Sequence, residues 1–299
     1  MSTKYKYKRM GFDGYNNENI ELIRELIKDK NFLAIPQENY IRVYYKGLKL
    51  CDFYGKSCKN RIEINDVITT CGYSFDYING ISNRELVLSA FKDKVTKRDY
   101  ERASEQKIAS SNNTFDDDKY TVFGMEYAIP SNDLNIKLNN SSGKKYKTPK
   151  IDLVAFSPKE NKFILIEYKC KRESVTGNKG VKEHLKDFKV IKGNEDFQKH
   201  LIRELFKAYL LSEKIYTGKN RKQYSEDEMN NAKLDVGFLF CDTAVDVSGK
   251  VLCRITSRTY ETIYFKEFLD DCDEGIKYIH TLCDDCVDLN NWDNIKDFR

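Results

Sequence analysis

The stretch "KIDLVAFSPKENKFILIEYKCK", Lys150 to Lys171, decides how this chain is read. It holds two apolar runs separated by "SPKEN", the composition and punctuation of two paired strands. Asp152, Glu167 and Lys169 interrupt it, each flanked by core-type residues. Strand side chains alternate between faces. Asp152, Val154 and Phe156 therefore share one side, as do Phe163, Leu165, Glu167 and Lys169. Pro158 suits a type I turn that starts at Ser157 and closes a four-residue loop. That loop pairs Ser157 with Lys162, Phe156 with Phe163 and Val154 with Leu165. The same register sets Asp152 opposite Glu167 and Lys150 opposite Lys169.

Facing residues on adjacent strands have Cβ atoms roughly 5 Å apart, and like charges there destabilise unless something positive sits between them. Two groups can do this: a divalent cation, or Lys169 alone. A hard cation such as Mg²⁺ takes one or two carboxylates, waters and phosphate oxygens, and it polarises a phosphodiester and activates a water. Lys169 is placed to orient or help deprotonate that water and to stabilise anionic charge in the transition state. The competing reading is an edge-strand salt bridge. "E-x-K" alone does not decide between them; the upstream Asp and the facing register favour the cation. A one-residue slip would put the carboxylates on opposite faces.

Working outward, "NIELIRELIKD" (Asn19 to Asp29) has the spacing of a helix. "NYIRVYYKGLKLCDFYG" reads as strands around a turn at Gly47, and "RIEINDVITTCGYSFDYI" as a continuation of that sheet. Asn83 to Ser111 is helical and charged, "YTVFGMEYAIP" is a strand, and "SNDLNIKLNNSSGKKYKTP" is a polar connection. After the hairpin come a short helix in "GVKEHLKDFKVI" and a longer one in "EDFQKHLIRELFKAYLLSEKI". The second aligns Phe197, Leu201, Leu205 and Ala208/Tyr209. "KLDVGFLFCD" is a buried strand. The order from Tyr100 to Asp242 is helix, three strands, helices, strand. Residues 1–95 form an N-terminal α+β module without a legible motif, and 96–299 the second unit with a C-terminal extension.

The totals set bounds. A chain of 299 residues with 40% hydrophobic content buries a substantial core. Lys+Arg of 51 against Asp+Glu of 47 gives +4, which permits an anionic partner without demanding one. No run of about 18 apolar residues marks a membrane span, and the start lacks the apolar core of a secretory signal. The expectation is a cytoplasmic protein with its nine cysteines reduced. "CDDC" (Cys283 to Cys286) has no second pair at zinc-site spacing. The three histidines, His184, His200 and His280, show no ligand spacing, and His184 reads as a surface residue.

Asp152 followed by "Glu167-Tyr168-Lys169" resembles the PD-(D/E)XK nuclease superfamily, and the element order over residues 100 to 242 is similar to that family's core. Pro149 stands three positions before Asp152 instead of beside it. The resemblance implies an α/β fold with a mixed sheet and a restriction-endonuclease-like αβββαβ core. It implies a metal-dependent endodeoxyribonuclease using Mg²⁺, with Mn²⁺ as substitute. Asp152, Glu167 and the Tyr168 carbonyl would be the metal ligands and Lys169 the residue serving the attacking water. It also implies an acid from the preceding helix, for which Glu105 is preferred over Glu101, with Glu126 as a further candidate. A basic loop carrying Lys171, Arg172, Lys179 and Lys182, with Gln198 beyond it, is the expected contact to the nucleic-acid backbone. DNA is the expected partner, with room for a homodimer and with restriction or phage defence as the setting. The rival readings are a nuclease fold that binds nucleic acid or a partner without cutting, an enzyme acting on RNA, and a structural salt-bridge hairpin.

Overall fold

The hairpin forms with the expected pairing from Ser157 to Leu153, but the ladder stops short of the expected Asp152–Glu167 and Lys150–Lys169 pairs. The computed structural model describes residues 14–15, 17–37, 39–55, 57–60, 100–129, 150–170, 180–241, 243–245, 251–254, 276–281 and 287–294. At its centre, strands β6 (Lys150–Ser157) and β7 (Lys162–Lys169) run antiparallel. Their partners are Ser157↔Lys162, Phe156↔Phe163, Ala155↔Ile164, Val154↔Leu165 and Leu153↔Ile166. Ser157 Oγ accepts from Glu160 N at 3.3 Å. Asn161 sits at φ 46°, where an Asn is tolerated better than most residues. The Phe156 and Phe163 rings stack with centroids 4.3 Å apart, a cross-strand contact of the kind that pins register.

β5 (Thr121–Ala128) pairs antiparallel with the outer side of β6, with a register shift between Val122 and Gly124. β8 (Lys233–Cys241) lies parallel to β7 on the other side. β9 (Thr243–Val245) and β10 (Val251–Arg254) pair antiparallel in a separate two-stranded sheet, and β11 (Ile276–Thr281), parallel to β8, completes a five-stranded sheet in the order β11-β8-β7-β6-β5. A parallel β7–β8 pair needs a crossover, supplied by the two expected helices, α3 (Val181–Lys192) and α4 (Glu195–Thr217). Asn194 caps α4 by accepting from Phe197 N at 2.9 Å, and Gly218 closes it at φ 85°.

Alternation divides the sheet between two cores. Val154, Phe156, Phe163, Leu165 and Phe238 pack with Phe188 of α3 and with Leu201, Leu205 and Tyr209 of α4. The residues between them, Leu153, Ala155, Ile164, Ile166 and Leu239, pack on the opposite side. There they meet Ile108 of α2 (Tyr100–Ser111), Trp292, and Leu33, Ile35 and Tyr44 from the N-terminal region. Burial on both faces explains why β7 and β8 read as nearly continuous apolar runs.

The N-terminal region is a four-stranded antiparallel sheet of β1 (Phe32–Pro36), β2 (Ile41–Tyr45), β3 (Leu48–Tyr54) and β4 (Ser57–Asn60). The helix α1 spans Asn17–Ile27, starting and ending two residues before the stretch expected from sequence. Lys46 and Gly47 join β2 to β3 at φ 47° and 83°, the two positive values of a type I′ turn. A Cβ on Gly47 would stand 2.6 Å from the Ala103 backbone, so the turn rests directly on α2. Gln106 of the same helix accepts from Gly47 N and donates to Asn31 O at 2.7 Å. β1 has no assignment from sequence. Its alternate residues enter different clusters, with Phe32 and Ala34 beside α1 and Leu33 and Ile35 against the central unit. The expected boundary at residue 95, the continuation at 61–78, the helical stretch 83–99 and the connection 131–149 lie outside the described residues.

The C-terminal residues complete the fold. Trp292, in a 3₁₀ turn (Leu289–Asn294), is fully buried and directs Nε1 at Asp235 Oδ2, 3.3 Å away. A Cβ on Gly237 would collide with Lys277 O and lie 2.7 Å from the Trp292 ring, so that position is glycine by close approach. Among the described residues, no helix is long and apolar enough to cross a membrane.

Candidate active site

One face of the hairpin changes character at its open end. After Phe163 and Leu165, the next residues on that side of β7 are Glu167 and Lys169, with side chains 1% and 5% exposed. Regular pairing ends at Leu153↔Ile166. One residue on, Asp152 Oδ2 takes the Tyr168 N–H at 2.9 Å, so a side-chain carboxylate replaces the ladder where the strands part. Lys169 Nζ donates to Glu167 Oε2 at 3.0 Å and lies 3.5 Å from Asp152 Oδ2. The two carboxylates and the ammonium that sequence placed on one face are thus in contact.

The electrostatics follow from crowding. Burial, and then the charge of Glu167, push the Asp152 carboxyl well above the usual carboxylate range, against the pull of Lys169. Burial also raises Glu167, again opposed by Lys169. Burial disfavours the Lys169 ammonium, but Glu167, Asp152 and Glu101 together outweigh it and raise its pKa. One ammonium thus serves two carboxylates that repel each other. Asp152 keeps 25% of its side chain at the surface, so this is an opening to solvent in an otherwise closed cluster.

Donors converge on one oxygen of each carboxylate. Lys169 and the Tyr168 N–H both point at Asp152 Oδ2, and Lys169 takes Glu167 Oε2. Glu167 Oε1 is buried with no hydrogen-bond partner, a costly arrangement for a carboxylate oxygen. His184 Nδ1 of α3 lies 3.3 Å from it. Among the described residues, no group of three or more His, Cys, Asp or Glu side chains is poised to hold a metal ion. Two carboxylates do meet the protein share of a Mg²⁺ shell, since that ion keeps several waters. The unpartnered Oε1 and the mutual repulsion fit such an ion.

Comparison with protein-family models, curated proteins and solved structures finds no match to this chain.

The remaining candidates separate. Glu101, in the first turn of α2, acts on Lys169 by its charge. Glu105, one turn later, is 5% exposed. The phase of α2 is set from beneath the sheet, where Ser104 Oγ and Tyr168 OH form a buried 2.6 Å hydrogen bond. Gln198 donates to Lys192 O at 2.7 Å, which ties it to the α3–α4 junction. Lys171, Arg172 and Lys179 lie outside the described residues, as does the side chain of Lys182 in the first turn of α3. The "CDDC" cysteines lie outside them too.

Glu126 is spent on architecture. It adopts φ 48° and accepts from Tyr44 OH at 2.8 Å and Lys49 Nζ at 2.9 Å, with Lys150 Nζ 3.7 Å away. Burial raises its pKa, but Lys150, Lys49 and the two hydrogen bonds outweigh that and hold it down at about 2. A depressed carboxyl stabilises the fold above its ordinary pKa and loses that contribution as pH falls through the folded value. Glu126→Gln is therefore expected to cost at most about 3 kcal/mol at pH 7 and less than half of that near pH 3. Urea denaturation of both proteins at the two pH values measures the difference.

Asp187 is a residue that sequence reading passed over, and His184, read there as a surface histidine, is only 21% exposed and stands 3.3 Å from Glu167 Oε1. Asp187 is buried, and its charge raises the Glu167 pKa. A signal existed: Val181, Leu185 and Phe188 form the buried stripe of α3, and His184 and Asp187 flank it at helical spacing. Nothing in the local pattern said that the stripe would dock beside the end of β7.

Proposed function

We propose that this chain is a Mg²⁺-dependent nuclease of the PD-(D/E)XK kind, with a restriction-endonuclease-like core, hydrolysing phosphodiester bonds in DNA. The observation that carries the reading is the convergence of Asp152, Glu167 and Lys169 at the end of a hairpin in the expected register. The helix–three strands–helices–strand order around it supports the same reading. A Mg²⁺ ion held by Asp152, Glu167 and the Tyr168 carbonyl would polarise the scissile phosphate and acidify a bound water. Lys169, kept as an ammonium by its carboxylate neighbours, orients that water and offsets negative charge developing on the phosphate. Glu101 of α2 adds negative charge that keeps Lys169 protonated. Tyr168 N–H holds Asp152 through its Oδ2. Defence against foreign DNA is the setting proposed for this activity.

Supercoiled plasmid and single-stranded DNA, each incubated with Mg²⁺, Mn²⁺ or EDTA, test the reading. Wild type is expected to nick DNA only with a divalent ion, and Lys169→Ala to lower the single-turnover rate by about 10²–10³-fold. Binding of DNA with no cleavage in any metal would replace this conclusion with a binding-only role. Cleavage confined to RNA would move the substrate class.

A further inference from the structure

Glu126 does more than brace the sheet. We propose that Glu126 is a positioning residue for the active site: gripped by the N-terminal sheet, its left-handed backbone turns β5 and β6 at the point where β6 offers Asp152. This rests on the reading above that Asp152 and Glu167 hold a cation, and it makes the N-terminal sheet part of that centre.

Three observations converge. In the β5–β6 ladder, Glu126 and Asp152 fall between the pairs Met125↔Leu153 and Tyr127↔Ile151, so they stand opposite each other. Glu126 holds φ 48°, a conformation that is costly for a residue with a Cβ and persists only where the surroundings impose it. The two strands also change sides here. Met125 and Leu153 pack in the core with Ile108 of α2 and Trp292, whereas Tyr127 and Ile151 pack in the core formed with α3 and α4. Residues two apart in a regular strand share a face, so the strand pair twists at Glu126 and Asp152, as irregular strands do beside active sites. The twist coincides with the place where Asp152 Oδ2, instead of a ladder carbonyl, takes the Tyr168 N–H.

The grip comes from outside the central sheet. Lys49 Nζ lies 2.9 Å from Glu126 Oε1 and 2.8 Å from Oε2, and Tyr44 OH donates to Oε2 at 2.8 Å. Both donors belong to the N-terminal sheet, on β3 and β2. Lys150, two residues before Asp152, lies 3.7 Å from the same carboxylate. One strained residue thus ties β2, β3 and the first residue of β6 together. Released from these partners, the Glu126 backbone would relax towards an extended strand, β5 would straighten, and Asp152 would shift relative to Glu167.

The test is Mn²⁺ binding by the full chain without DNA, followed by electron paramagnetic resonance. Glu126→Ala and Glu126→Gly remove the same carboxylate, but only glycine adopts a positive φ without steric cost. Glu126→Ala should weaken Mn²⁺ binding at least about tenfold, the scale expected when an outer support of a metal ligand is lost. Glu126→Gly should stay within about threefold of wild type. Lys49→Met should act like Glu126→Ala, with Lys49→Arg restoring binding. Ile23→Val, which trims the N-terminal core away from Glu126, should leave Mn²⁺ affinity unchanged; circular dichroism confirms that every variant folds. Alanine and glycine variants that bind alike, or a Glu126→Ala chain that binds as tightly as wild type, overturn the positioning role and leave the cation site standing. Wild type that binds no Mn²⁺ removes the cation reading itself, and this proposal with it.

Discussion

Asp152→Asn is expected to abolish metal-dependent cleavage and, without metal, to remove a pH-dependent weakness of the fold. The loss of rate should reach about 10³-fold, the equivalent of about 4 kcal/mol, because a ligand that anchors the ion is removed. The stability effect has the opposite sign. The Asp152 carboxyl is raised by burial and by Glu167, so the folded chain holds a proton that the unfolded chain has released. Such a group stabilises the fold below its ordinary pKa near 4 and loses that contribution as pH rises through the folded value, near neutrality. Wild type in EDTA should therefore lose stability between about pH 4 and 7, while Asp152→Asn, whose amide still accepts the Tyr168 N–H, should show a flatter profile. Added Mg²⁺ or Mn²⁺ should stabilise wild type at pH 8 by mass action and leave the variant unchanged. Urea midpoints across that range, with and without metal, measure both effects. Parallel profiles would show that Asp152 carries no raised pKa and that its carboxylate is not strained by Glu167.

The second large effect lies away from the site. Arg42 and Asp52 face each other across β2 and β3 and form a bidentate pair, Nε to Oδ1 at 2.7 Å and Nη2 to Oδ2 at 2.9 Å. Their side chains are 4% and 0% exposed. Arg42→Met is expected to cost about 3–5 kcal/mol, because it leaves the Asp52 carboxylate buried without its guanidinium. Arg42→Met with Asp52→Leu should recover most of that loss, since an apolar pair of similar volume is often neutral. Chemical denaturation of the three variants reads the cycle. A double variant no better than the single would mean that Asp52 has a second role in the sheet.

Local patterning reveals most of the centre and less of its surroundings. The hairpin was legible because period-two alternation and a proline turn together determine a register, and a register determines which charges meet. α3 and α4 were legible because their apolar stripes are long. Glu126 was not, because its partners Tyr44, Lys49 and Lys150 come from distant strands. Glu101 could not be separated from Glu105 by spacing, since the phase of α2 depends on the Ser104–Tyr168 hydrogen bond. β1 hid for a related reason: a five-residue apolar run buried on both sides has no alternation to read. His184 gained its position only when α3 packed beside β7, a consequence of tertiary docking that no single segment encodes.

The arrangement of the sheet also bears on how the protein is made. Among the described residues, β8 pairs with β7 on one side and with β11 on the other, and Trp292 is seated over Gly237. During synthesis, the stretch from Lys233 to Cys241 emerges well before residues 276–294, so a largely apolar strand waits with one row of amides and carbonyls unpaired. Such a rim invites strand addition from another nascent copy. Ribosomes that stall in this interval, or messages cut short there, should release chains that carry Asp152, Glu167 and Lys169 intact yet clump before they can act. Residues far downstream of the chemistry thus decide whether the chemistry is ever delivered.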